Sequence, residues 1–151
     1  MAHRESYIFD HSYTTRYTFT SIGLREITKV VDFTYTGTRH IMVMGFGDLL
    51  PDGSVDDEVN SNNGDTQKVL STIIKILIDF MTLFPDVEVL FTGSTQKRIH
   101  LYARILRTHY SIFKKEFIIN VLVMAGKDYI EQPFDPEVQV EIAAFFIKRI
   151  T

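Results

Sequence analysis

The sequence predicts an α+β fold, a mixed and mainly antiparallel sheet covered by helices, on three observations. Strand-like segments follow one another between residues 15 and 48, with β-branched and aromatic side chains set among polar ones. Helical periodicity occupies 65–84. Strand-like and helix-like segments then alternate to the C-terminus, giving the order β-β-β-(β)-α-β-α-β-α. With 151 residues, 45% of them hydrophobic, the chain can bury one sizeable core, so a single domain over 1–151 is expected.

Residues 1–13 lack clear periodicity apart from a short strand-like Tyr7-Ile8-Phe9, and read as an N-terminal arm. In 15–22, TRYTFTSI, aromatic and β-branched residues alternate with polar ones, as a half-buried strand requires. A second strand spans 26–36, with Ile27, Val31 and Phe33 as core candidates, and Thr36-Gly37-Thr38 reverses the chain. The third, 40–48, ends at Gly45 and Gly47, where a bulge or a close backbone approach is expected. Pro51-Asp52-Gly53-Ser54 is a turn, and a weak fourth strand follows at 54–60.

The long helix starts with Asp65 as N-cap and stops at Phe84, before Pro85. Leu70, Ile73, Ile74, Leu77, Met81 and Phe84 follow helical spacing, and Ile76, Ile78 and Phe80 widen the apolar face, so this helix is largely buried. VEVLFT, 87–92, reads as a strand, and a basic helix follows from 94 to 110. FIINVLVMA, 117–125, has the continuous apolar character of a central strand. A final helix is expected at 136–149, opened by Pro136 and carrying Val138, Ile142, Phe145 and Phe146 at helical spacing; it could serve as a lid or meet a partner, a second copy of the chain included.

Zero cysteines exclude disulfides and Cys-ligated zinc. The first thirty residues hold no secretory pattern, and Lys75 and Asp79 interrupt the most apolar stretch, so a cytosolic protein without a membrane span is expected. The five histidines show no metal-motif spacing, and the acids at 48–58 lack the ligand order of a calcium loop. The net charge of -3 hides a segregation: six acids and no Lys or Arg between Asp48 and Asp65, six cations and no acid between Ser94 and Lys115. Such asymmetry can steer anions towards one part of a slightly acidic molecule.

Both internal helices open on small polar residues: Asn62, Asn63, Gly64, Asp65 and Thr66 for the first, Gly93, Ser94 and Thr95 for the second. Unpaired amides and the positive end of the helix dipole suit such mouths to a small anionic ligand, the second strengthened by Lys97 and Arg98 and the first opposed by the Asp65 carboxylate. The two mouths are expected to share a pocket. Neither has the spacing of a Walker loop or a dinucleotide fingerprint.

The segments FGD (46–48), SNNGD (61–65), KVL (68–70), GST (93–95) and R-x-x-LY (98–102) resemble the shared pattern of a family of small uncharacterised bacterial proteins, over about 15–125. More remotely, the chain resembles the GCN5-related N-acetyltransferases, whose core runs β-β-β, a phosphate loop opening a helix, a strand, a second helix with a Leu-Tyr pair, and a further strand. That resemblance implies acetyl-CoA as cofactor, residues 62–66 as the pyrophosphate loop, and Tyr102 as the catalytic acid that protonates the departing thiolate. Ser61, Asn62 and Asn63 stand where the acetyltransferase loop has Arg and glycines, and the two helices usual between its first two strands have no counterpart.

The alternative is a non-enzymatic binding or regulatory module, such as a toxin–antitoxin or defence component, whose basic helix engages nucleic acid, a nucleotide or a protein. Arg98, Arg104, Arg107, Lys114 and Lys115 accompany Tyr102, Tyr110 and Phe113, a combination that single-strand binders use. The nine-residue separation of Arg98 and Arg107 places those two on opposite sides of the helix.

Overall fold

A computed structural model describes residues 6–7, 9–13, 15–37, 40–56, 63–92 and 96–150. The first strand falls later than Tyr7-Ile8-Phe9: β1 (Asp10–Tyr13) pairs antiparallel with β2 (Arg16–Ile22), while Ile8 lies outside the described residues. The alternation in β2 sets its two faces, with Tyr17, Phe19 and Ser21 buried and Thr18, Thr20 and Ile22 more open. Next to it, antiparallel, runs β3 (Glu26–Tyr35), from which Val30, Val31 and Phe33 enter the core while Ile27 is half-buried.

β4 (Ile41–Leu49) lies beside β3, and β5 (Val55–Asp56) turns back onto it; these two residues are what the expected strand at 54–60 contributes among the described ones. Gly47 is the close approach anticipated from sequence, since a Cβ there would stand 2.5 Å from the Asp56 carbonyl oxygen. α1 (Thr66–Leu83) presents Leu70, Ile73, Leu77, Phe80 and Met81 to the core, and Phe80 stacks on Phe33 with centroids 3.8 Å apart. The Tyr17 hydroxyl donates to Asp79 Oδ2 of the same helix at 2.7 Å, and burial, helped by this carboxylate, pushes the phenol pKa up.

The chain divides into two compact units, Met1–Thr34 with Met44–Leu83, and Tyr35–Val43 with Phe84–Thr151. The elements above form the first, except that the last residue of β3, Tyr35, and the opening residues of β4 belong to the second. There Ile41–Val43 pair parallel with β6 (Glu88–Phe91). α2 (Gln96–Thr108) and the single turn α3 (Tyr110–Phe113) follow, then β7 (Phe117–Ala125).

The C-terminal third departs from expectation. Ala125 pairs with Asp128 across the two-residue loop Gly126-Lys127, which starts a strand the sequence reading omits, β8 (Asp128–Pro133). Gly126 takes φ 66°, the conformation such hairpin loops need at their first position. The helix expected at 136–149 does not form. Asp135 instead accepts from the Glu137 amide through Oδ1 at 2.9 Å and from the Val138 amide through its carbonyl at 3.2 Å, so Pro136 sits in a turn. Residues 142–149 become β9 (Ile142–Arg149), inserted antiparallel between β6 and β7 with both edges paired. The sheet is therefore mixed and mostly antiparallel, and the fold is α+β.

Candidate functional site

In the first unit the mouth of α1 is tied to the β2–β3 turn. Asn63, 3% exposed, donates its amide hydrogens to Ser21 Oγ at 3.0 Å and to the Arg25 carbonyl at 2.7 Å. Its Oδ1 accepts from the Arg25 amide at 2.7 Å, and its own carbonyl accepts from the Leu24 amide at 3.1 Å. Gly64, at φ 84°, carries the chain from this anchor into the helix. Asp65, immediately before the first helical residue, accepts at Oδ2 from the hydroxyls of Tyr7 and Ser21, each at 2.5 Å. The Tyr7 hydroxyl also accepts from the Ile22 amide at 2.8 Å, and its pKa is raised, first by burial and then by the bond to Asp65.

A fixed carboxylate therefore occupies the positive end of α1, and Asn63 is committed to holding a turn. The sequence singled out Asn63 and Asp65 and missed Tyr7 and Ser21, which reach them from 58 and 42 positions away. Asn62 lies outside the described residues, as does the Thr66 side chain.

Gly23, in the turn that Asn63 holds, admits no side chain: a Cβ would stand 1.8 Å from the Asn63 carbonyl oxygen, one backbone against another. Gly23→Ala should cost about 1 to 3 kcal/mol, the range for forcing atoms into a filled space. Urea denaturation followed by circular dichroism measures it, and a loss under 0.5 kcal/mol by the same scale would mean that the turn is not held as described.

In the second unit Gly93, Ser94 and Thr95 lie outside the described residues, so the second mouth is seen only from Gln96 onward. Arg98 is half-buried. Tyr102 is 3% exposed, its ring edge-on to Phe91 at 5.4 Å, and burial pushes its pKa up to about 12 while the Arg98 charge pulls it down. A phenol at that value gives up a proton less readily at neutral pH than an unperturbed tyrosine. The two mouths belong one to each unit.

The outer face of α2 has a different character. Ile99, Tyr102, Ala103, Ile105 and Leu106 are buried, which turns Lys97, His100 and Arg104 to solvent and leaves Arg107 half-buried at the margin. At about 100° per residue these four side chains fall within an arc of roughly 80°, and Arg98 is the outlier. No carboxylate among the described residues pairs with Lys97, Arg104 or Arg107. The Arg107 guanidinium lies 6.0 Å from the Phe134 ring centroid, Phe134 stands 5.8 Å from Tyr110, and the Lys114 ammonium is 5.9 Å from the Tyr110 ring. Cations and aromatics thus continue together from α2 into α3. The spacing of 97, 100, 104 and 107 could have revealed this arc in the sequence, where the separation of Arg98 from Arg107 concealed it.

Among the described residues, no helix is long and apolar enough to cross a membrane, and no three His, Asp or Glu side chains gather as a metal site would require. The sequence model of a family of unknown function, DUF6934, matches residues 3–150, and the chain belongs to that family. No curated protein and no solved structure matches it.

Proposed function

We propose that this DUF6934 member is a cytosolic binding module that engages a polyanionic partner through the outer face of α2. The observation that carries this reading is the arc of Lys97, His100, Arg104 and Arg107, three exposed and one half-buried, within a stretch of 22 residues, 94–115, that contains six cations and no acid. In a chain of net charge -3 such a face attracts anions locally while the remaining surface repels them. The polar groups at the other candidate site support the same choice, because Asn63 and Asp65 are spent on the fold.

Heparin chromatography tests the proposal. The protein should be retained at low salt, and Lys97→Gln with Arg104→Gln should elute at clearly lower ionic strength, since exposed charge contacts are screened within about 10 Å at 0.1 M salt. Passage of the unmodified protein straight through the column would reject it.

A second reading is acyl transfer from acetyl-CoA on an acetyltransferase-like core. It is supported by the order β2, β3, β4, β5, α1, β6, α2, β7, in which α1, entered through Gly64 and Asp65, falls along the chain between the parallel pair β4 and β6, and the next helix carries Leu101-Tyr102. In that reading Tyr102 would be the catalytic acid. Calorimetric titration with acetyl-CoA separates the two: micromolar binding, with turnover lowered by Tyr102→Phe in a folded protein, would put this reading first.

A further inference from the structure

Resting on the polyanion reading, we infer that the partner is a single-stranded nucleic acid, its phosphates lying along Lys97, His100, Arg104 and Arg107 and a base stacking on Tyr110. Two features narrow the partner to this class. The charges from Lys97 to Arg107 are strung over ten residues, about 15 Å of helix, which suits a linear array of phosphates better than one compact anion. Guanidinium forks at Arg104 and Arg107 fit phosphate oxygens in pairs.

The second feature is aromatic. Tyr110 is half-buried beside these cations, its ring backed by Phe134 at 5.8 Å, so the platform is fixed before a ligand arrives. Lys114, near that ring, would reach the phosphate flanking a stacked base. Stacking on an aromatic side chain needs an unpaired base, which a duplex does not offer, and every base can supply the π-face. An acidic peptide would satisfy the cations and leave Tyr110 without a role.

Fluorescence anisotropy with labelled single-stranded RNA and DNA of mixed sequence, against a hairpin duplex and polyglutamate, tests the inference across 50–200 mM salt. Affinity should favour the single strands, and log K should fall with log salt at a slope of about -2 to -3, as three or four phosphate contacts give. Lys97→Gln with Arg104→Gln should reduce that slope by about 1.4. Tyr110→Leu, which keeps an apolar group against Phe134, should weaken binding roughly tenfold at unchanged slope. Tyr110→Phe, which keeps the platform, should bind like the unmodified protein and guards against a folding defect in the leucine variant.

Equal affinity for duplex or polyglutamate, a slope indifferent to the two charge removals, or no loss with Tyr110→Leu would each overturn the inference. Heparin retention without single-strand binding would reject this partner and leave the polyanion reading standing; loss of both rejects both.

Discussion

Lys29→Met is expected to destabilise the protein by about 3 to 5 kcal/mol, the cost of leaving one partner of a buried ion pair uncompensated. Lys29 on β3 is 4% exposed, and its ammonium is bonded to Asp48 Oδ1 on β4, itself 8% exposed. The Phe46 ring centroid lies 5.7 Å from the same ammonium. Methionine retains most of the apolar stem, so the loss reports on the charge left behind and not on a cavity. The double replacement Lys29→Met with Asp48→Leu should recover much of the stability, because a buried pair exchanged for apolar residues of similar volume is often neutral. Urea denaturation of the single and double variants gives the comparison. A single-variant cost below about 1 kcal/mol, the level of an exposed pair, would show that water reaches this site.

That pair also gives a structural task to FGD, one of the segments singled out in the sequence, and SNNGD has tasks of its own. In FGD, Phe46 lies over Lys29, Gly47 has no room for a Cβ beside Asp56, and Asp48 holds the ammonium. In SNNGD, Asn63 anchors the β2–β3 turn, Gly64 takes positive φ, and Asp65 receives two hydroxyls. The described residues of both segments have structural tasks. Segments that stand out in a sequence can thus serve the fold while revealing little of its chemistry.

Local signals were legible where the partners were local. The alternation of TRYTFTSI, the helical spacing from Leu70 to Met81 and the stop at Pro85 each depend on neighbours within a few positions, and β2, α1 and the end of α1 follow them closely. The partners of Asn63 and Asp65 arrive from β2, the turn after it and the N-terminal segment, so only the folded chain brings them together. The same limit applies to Lys29, whose spacing in β3 says nothing of an acid on β4. At the C-terminus the difficulty was one of period. Val138, Ile142, Phe145 and Phe146 satisfy helical spacing, yet a strand buried on one face and half-covered on the other shows apolar residues at nearly every position and loses its alternation.

Two single substitutions measure that period directly. Phe145 on β9 is wholly buried, stacked with Phe91 at 4.9 Å and 6.4 Å from Phe134, whereas Phe146 points to the opposite face and is half-buried. Phe145→Ala should therefore cost about 3 to 5 kcal/mol through the cavity it leaves. Phe146→Ala should cost about 1 to 2 kcal/mol, because less apolar surface returns to water and no sealed cavity forms. On a helix the two side chains would be only about 100° apart on one broad apolar face, and the losses would be similar. Equal destabilisation in urea would contradict the strand, while a gap of 2 kcal/mol or so between adjacent phenylalanines requires a two-residue repeat. Since β9 bridges β6 and β7, Phe145→Ala should also loosen its neighbours: hydrogen exchange should rise at Val89, Phe91, Ile119 and Val121 together.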